Sequence, residues 1–175
     1  MPTPTFTKIA SNTLGSGVTS VTFSAIPSAY TDLVLYISAR WDRTGNYRLD
    51  DTFLQINSQS TAANYTGGYI YTDTNTTTYS VTSSPSIFPS SANSSAANAF
   101  SNDWIYIPSY RSTTLVDMLL FGGAGDFLAQ ANGVLAIGNS AAPTGEAISS
   151  ITLKNINGNA FVTGSTFYLY GIKSS

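Results

Sequence analysis

The sequence predicts an all-β fold, an antiparallel β-sandwich of the jelly-roll type with about ten strands. Ser and Thr make up about a quarter of the chain, and aromatic residues a further 13%. Thr, Tyr, Phe, Val and Ile favour the pleated surface of a sheet, whereas Ser, Asn and Gly favour its turns. Short β-prone runs recur with turn signals between them, and no segment has a helical period.

Three runs carry the clearest strand signals. Residues 33–39 have an apolar majority on both faces, which predicts a central strand with protein packed on both sides. Residues 103–110 place Trp104 and Tyr106 on one face and two isoleucines on the other. Residues 165–172 are apolar or aromatic at most positions, which predicts a terminal strand held deep in a sheet.

The other β-prone runs are residues 18–24, 52–57, 65–71, 115–121, 133–138 and 148–154. The glycine-rich segment 122–125 is expected to be a turn between strands. Residues 72–102 are rich in Ser, Thr and Asn and are expected to be a loop-rich insertion with short edge strands. Residues 1–175 are therefore expected to form a single domain, with residues 1–5 as a flexible N-terminal arm.

The chain is poor in charge and lacks His and Cys. Charged residues are 9% of the chain, and the formal net charge is −2. Without His or Cys, catalytic triads built on either are impossible, and the commonest metal ligand is missing. The seven basic residues are scattered, which disfavours nucleic acid, and no run approaches the ~20 apolar residues of a membrane span. We therefore expect a protein that is not an enzyme, without cofactor or metal, whose weakly charged surface suits protein contacts.

Two patterns suggest chemistry only weakly. Asp50 and Asp51 are adjacent, and on a strand they would face opposite sides, so they do not form the carboxylate pair of a glycosidase. The segment 155–159, Asn-Ile-Asn-Gly-Asn, has the alternating oxygen ligands of a calcium loop but no closing Glu. Because Asx residues are also the usual residues of turns, we interpret this segment as a turn.

Aromatic residues are the best candidates for a binding surface. The chain has eleven Tyr, nine Phe and two Trp. Exposed Tyr and Trp among Ser, Thr and Asn are typical of a carbohydrate-binding face or a protein interface. The candidates, which flank the turn at 43–45 or lie near the loop-rich middle, are Trp41, Tyr47, Tyr65, Tyr69, Tyr71 and Tyr79.

Four segments resemble virion proteins of tailed bacteriophages. They are SVTFSAIPSAYTDL at residues 20–33, IYIPSY at 105–110, AISSITL at 147–153 and FVTGSTFYLYGI at 161–172. The chain is similar to capsid cement (decoration) proteins of cyanophages and marine phages, and to related tail-fibre modules. The resemblance spans nearly the whole chain in order, and it implies a jelly-roll sandwich with a structural role.

The resemblance implies two alternative functions. In the first, the chain is a cement subunit on the outer capsid surface of the virion, assembled in the host cytoplasm, which forms a homotrimer and clamps major capsid proteins. In the second, it is a tail-fibre or receptor-binding module that recognises a host-surface glycan through exposed Tyr and Trp. Because the domain begins within a few residues of Met1, without the shaft that precedes a fibre tip, the cement protein is the favoured expectation.

Overall fold

The computed structural model describes residues 5–45, 49–60, 65–73, 76–82, 87–93, 95, 97–114, 116–126, 132–142, 145–155 and 157–173. Among those within 66–89, 124–136 and 138–142, it describes the backbone alone. The described part is built from strands, and it has no helix long and apolar enough to cross a membrane.

Twelve strands in the described residues form two antiparallel sheets. The first six are β1 (Phe6–Thr13), β2 (Ser20–Phe23), β3 (Asp32–Ala39), β4 (Leu49–Ile56), β5 (Thr66–Asp73) and β6 (Thr76–Thr82). The other six are β7 (Ile87–Ser91), β8 (Ser101–Ile107), β9 (Val116–Asp126), β10 (Asn132–Ala142), β11 (Ile151–Asn155) and β12 (Thr166–Ile172). The larger sheet has the order β1-β12-β3-β8-β9-β10-β5-β6, and the smaller has the order β2-β11-β4-β7.

Eight of these strands have the connectivity of a jelly roll. Without β5, β6, β9 and β10, the two sheets read β1-β12-β3-β8 and β2-β11-β4-β7, which is the order of a double Greek key. The remaining strands form two hairpins, β5–β6 and β9–β10, which extend the larger sheet beyond β8. The predicted antiparallel β-sandwich is confirmed, with twelve strands where about ten were expected.

The core between the sheets follows the predicted alternation. Its fully buried side chains include Leu33, Leu35, Leu54, Ile56, Ile105, Ile107, Ile151, Leu153, Phe167 and Leu169. Each such side chain contributes about 1.5–3 kcal/mol when buried. β12, the terminal strand, lies between β1 and β3, so the prediction that it is held deep in a sheet is confirmed.

Trp41 fixes one part of this core through both stacking and hydrogen bonding. Its ring stacks on Phe161 with 3.7 Å between centroids, and the Phe161 ring meets Phe167 edge-on at 4.9 Å. The Trp41 Nε1 donates a hydrogen bond of 3.0 Å to Thr52 Oγ1, which lies 2.8 Å from Ser90 Oγ. The indole N–H is therefore paired although the ring is fully buried.

The sequence patterns do not predict β1. This strand is at the edge of the larger sheet and pairs with β12 alone, and its residues are exposed or half-buried. An edge strand without a buried face carries no apolar alternation to detect. Its register shifts between Lys8 and Ala10. The predicted N-terminal arm lies almost wholly outside the described residues, and the carbonyl of Thr5 accepts a hydrogen bond from Lys173 N.

The glycine-rich segment 122–125 lies inside β9, so the prediction of a turn there is wrong. β9 pairs with β10 along its entire length, from Val116 to Asp126. At position 122 glycine is needed because a Cβ there would overlap the carboxylate of Asp103. The insertion predicted at 72–102 supplies β6 and β7, and each is at the edge of its sheet.

Candidate functional site

The larger sheet has one face on the core and an outer face that the smaller sheet does not cover. On β3, Leu33, Leu35 and Ile37 point into the core, whereas Tyr36 points outward and is 44% exposed. The prediction that protein packs on both sides of this strand is therefore wrong. β3 is central within its sheet, between β12 and β8, and of its outer apolar side chains Tyr36 is exposed whereas Val34 is buried between its neighbours in the sheet.

Cross-strand pairing aligns the outward residues of the larger sheet in rows. One row runs through Tyr168, Tyr36, Trp104, Phe121 and Ile137 on β12, β3, β8, β9 and β10. The adjacent row runs through Tyr170, Val34, Tyr106 and Leu119. We call these residues, together with Phe6 stacked on Tyr170 at 4.6 Å, the aromatic face.

Exposure is concentrated on the aromatic face. In the described part of the chain, the large apolar side chains that remain well exposed are Phe6 (43%), Tyr36 (44%), Leu119 (44%), Phe121 (36%) and Ile137 (46%). All of them belong to this face. Single exposed apolar residues are ordinary on protein surfaces, whereas a contiguous patch marks an interaction site.

The rings of the aromatic face surround a shallow depression of about 330 Å³. Trp104 lies nearly parallel to Phe121 with 5.9 Å between centroids, and Tyr36 and Tyr168 line the other side. Ser38, Asn102 and Thr166 add hydroxyl and amide groups at its margin. The depression can therefore receive an aliphatic or ring-shaped group and offer hydrogen bonds at its edge.

The aromatic face carries almost no charge. Lys8, which pairs with Tyr170 at the β1 end of the second row, extends that row. Asp32 and Asp117 lie at the strand ends beyond the two rows. A partner can cover the centre of the face without removing an ion from water, which is the costly step in burying charged surfaces.

Asp103 lies on the inner side of the same sheet, beneath Gly122. Its Oδ2 accepts hydrogen bonds from Ser101 Oγ at 3.0 Å and from Ser90 Oγ at 3.3 Å, and its Oδ1 accepts one from Gly123 N at 3.2 Å. Because Ser90 is on β7, these bonds join the smaller sheet to the larger one. Burial raises the pKa of Asp103 to about 8, although the three hydrogen bonds favour the charged form.

The Asp103→Asn variant should remove a pH dependence of stability. In the unfolded chain the Asp103 carboxyl has its ordinary pKa near 3.9, so between about pH 4 and pH 8 the folded protein holds a proton that the unfolded chain lacks. Stability therefore falls as pH rises through this window. The free energy of unfolding of the wild type should fall relative to the variant by up to about 1.4 kcal/mol per pH unit, measured by urea unfolding between about pH 5 and 7.5. If the difference in unfolding free energy between the wild type and the variant does not change with pH, the Asp103 carboxyl is not neutral in the folded protein.

Two of the sequence-predicted site residues are buried, so their prediction as surface aromatics is wrong. Trp41 and Tyr65 are both fully enclosed in the core. The Tyr65 hydroxyl accepts a hydrogen bond from Ile56 N at 3.0 Å and donates one to Gln59 O at 3.1 Å. Both rings therefore anchor the chain internally and present no face to a ligand.

The other predicted aromatics are not tested by these contacts. Tyr47 lies outside the described residues. Tyr69 and Tyr71 are in β5 and Tyr79 is in β6, and their side chains lie outside the described part. The backbone register places Tyr79 opposite Ile70, which pairs with Ile137 of the aromatic face.

The three asparagines of the segment 155–159 use their side chains for hydrogen bonds within the protein. Asn155 Oδ1 accepts hydrogen bonds from the backbone of Asn157 at 2.7 Å and of Asn159 at 3.4 Å. Asn159 Nδ2 donates to Asp50 at 2.6 Å, and Arg43 pairs with the same carboxylate at 2.9 Å. No group of three or more potential metal-ligating His, Cys, Asp or Glu occurs in the described residues.

Tyr36, Trp104 and Phe121 are functional candidates that the sequence patterns did not single out. The alternation in residues 103–110 placed Trp104 on the face opposite Ile105 and Ile107, and this is confirmed, since the isoleucines are buried and Trp104 is half-buried on the outer face. The three residues become one surface only through pairing of β3, β8 and β9. Neither the known protein-family models nor the curated proteins contain a match to this chain.

Proposed function

We propose that the chain is a structural subunit of a tailed-phage virion, a capsid cement protein that forms a homotrimer and clamps major capsid proteins. The observation that carries the proposal is the aromatic face, because the well-exposed large apolar side chains of the described residues share it. The sequence resemblance to phage virion proteins is the reason for proposing that the chain acts in a virion. No catalytic arrangement is part of this proposal.

A second copy of the chain is the partner that best suits the aromatic face. The first row crosses five strands, so at the usual spacing of about 4.8 Å it is about 20 Å wide. Around a three-fold axis the same residue of three chains meets, and charged residues there would repel. Uncharged Tyr, Trp, Phe and Leu side chains avoid this repulsion and release water from apolar surface.

The remaining surface suits a broad contact with the capsid shell. Charged residues are 9% of the chain, so most of its surface is hydroxyl, amide and apolar. Such a surface loses few ion–water contacts when it is covered, and its binding energy comes from many weak contacts over a wide area. Trimerisation multiplies these contacts, because three copies bind together.

Pelleting with empty capsids tests the proposed function. Purified protein is mixed with empty capsids, and the bound fraction is measured after sedimentation. We expect binding that saturates at a fixed ratio of trimers to capsid subunits, because the clamp occupies repeated sites. A protein that stays in the supernatant at all concentrations would contradict the cement function.

The second candidate is a receptor-binding module for a host-surface glycan. The depression on the aromatic face favours it, because Trp104 and Tyr36 line it beside Ser38 and Asn102, and sugars bind through stacking and hydrogen bonds. Trp41 is buried, so fluorescence changes on sugar addition report Trp104. A saturable change with a host oligosaccharide, together with binding to host cells and none to capsids, would support this candidate over the first.

A further inference from the structure

The loops at one end of the sandwich enclose a second depression, of about 530 Å³, that shares no residue with the aromatic face. Its polar lining consists of Tyr30, Thr31, Ser109, Arg111, Ser112 and Lys173. Two of the seven basic residues of the chain therefore meet at one place, and the carboxylate of Asp32, which accepts a hydrogen bond from Ser109 N at 2.8 Å, borders the depression.

Neither Arg111 nor Lys173 forms an ion pair with a carboxylate in the described part of the chain. Arg111 donates one hydrogen bond, from NH1 to the carbonyl of Ser28 at 2.9 Å. Lys173 Nζ lies 5.7 Å from the centroid of the Tyr30 ring. The ion pair found in the described part joins Arg43 to Asp50, elsewhere in the protein. The depression is thus a positive site on a chain with net charge −2.

Backbone hydrogen bonds hold the walls of the depression in place. Ser109 N donates to Asp32 Oδ1 at 2.8 Å, and Ser112 N donates to Ser109 O at 2.8 Å, which fixes the turn that carries Arg111. Lys173 N donates to the carbonyl of Thr5 at 2.9 Å. Because the backbone is already ordered, a ligand does not have to organise it on binding.

From this geometry we infer that the depression binds a side-chain carboxylate from an acidic segment of a partner protein. A guanidinium offers paired donors that match the two oxygens of a carboxylate, and the ammonium adds further donors. The site is distinct from the surface used for the proposed self-association. Binding at this depression is therefore separate from self-association, and it can be measured on the chain alone.

A protein carboxylate suits the depression better than an acidic sugar. Sugar sites usually offer a free aromatic face for stacking. The Tyr30 ring instead packs directly against Gly171, where a Cβ would overlap the ring, and Lys173 lies near it. The remaining lining offers charge and hydroxyl groups without another ring.

Binding of a fluorescent hexaglutamate peptide, followed by anisotropy at low salt, tests the inference. We expect saturable binding to the wild type and none of the matched hexaglutamine peptide. Arg111→Gln and Lys173→Gln should each weaken binding about tenfold, because each removes one charge-assisted contact. Lys154→Gln, which removes the same charge from β11, is the matched control and should leave binding within about twofold.

Three results would overturn the inference. The first is no binding of hexaglutamate to the wild type. The second is an equal loss in Lys154→Gln, since binding would then depend on net charge and not on the depression. The third is tighter binding of an oligogalacturonate of equal charge, lost in the same two variants, which would assign the site to an acidic glycan.

Discussion

Replacing Phe121 by Glu is expected to abolish self-association and capsid binding while the fold is retained. Phe121 is 36% exposed on the aromatic face, beside Trp104, so a carboxylate there does not enter the core. In an assembled trimer the same carboxylate would be buried without a partner in every interface. Burial of this carboxylate costs roughly 3 kcal/mol per interface, so the affinity of one chain for the next falls at least about a hundredfold.

Sedimentation velocity and capsid pelleting measure this effect. The matched control is Thr22→Glu, which adds the same charge at an exposed position on the smaller sheet, where Thr22 Oγ1 lies 2.9 Å from Thr152 Oγ1. The control should self-associate as the wild type does in sedimentation velocity, because Thr22 lies outside the aromatic face. If Phe121→Glu assembles as the wild type does, the aromatic face is not the interface.

The Trp41→Ala variant is expected to lose about 3–5 kcal/mol of unfolding free energy. Trp41 is fully buried, stacks on Phe161 at 3.7 Å and donates its indole N–H to Thr52. The variant leaves a cavity between the sheets and removes one of the two hydrogen bonds of the Thr52 hydroxyl. Because native domains are stable by only about 5–15 kcal/mol, the loss approaches the total.

Trp41→Phe separates packing from hydrogen bonding at this position. It keeps a ring against Phe161 and loses the hydrogen bond to Thr52, so its loss should be intermediate. Both variants are compared with the wild type by urea unfolding. A loss below about 1 kcal/mol for Trp41→Ala would mean that the indole is not part of the core.

The sequence predicts the core residues well because the alternation of side chains along a strand separates the two faces within a few neighbouring positions. The pattern in residues 103–110 puts Ile105 and Ile107 on the face opposite Trp104, and in the structure the isoleucines point inward and Trp104 outward. β1 was missed because its exposed residues have no apolar face. The prediction of a turn at 122–125 is wrong because glycine-rich sequence by itself favours turns. These residues form a strand because they pair with β10, and the local sequence pattern does not show that pairing.

The candidate site was harder to predict because exposure depends on how the sheets are layered. Trp41 and Trp104 both lie in β-prone surroundings, yet Trp41 is enclosed against Phe161 while Trp104 lies on an uncovered face. The apolar residues on both sides of residues 33–39 fit two structures, a strand covered by protein and a strand that faces a partner. Only the position of the smaller sheet distinguishes them.

The mass of the purified wild-type protein, measured by light scattering over a range of concentrations, tests the central claim most directly. We expect a particle of three times the 18.5 kDa chain mass. This particle should persist at high salt, because an uncharged apolar interface is not weakened by screening. A mass of 18.5 kDa at every concentration would contradict the claim that the aromatic face is covered by copies of the same chain.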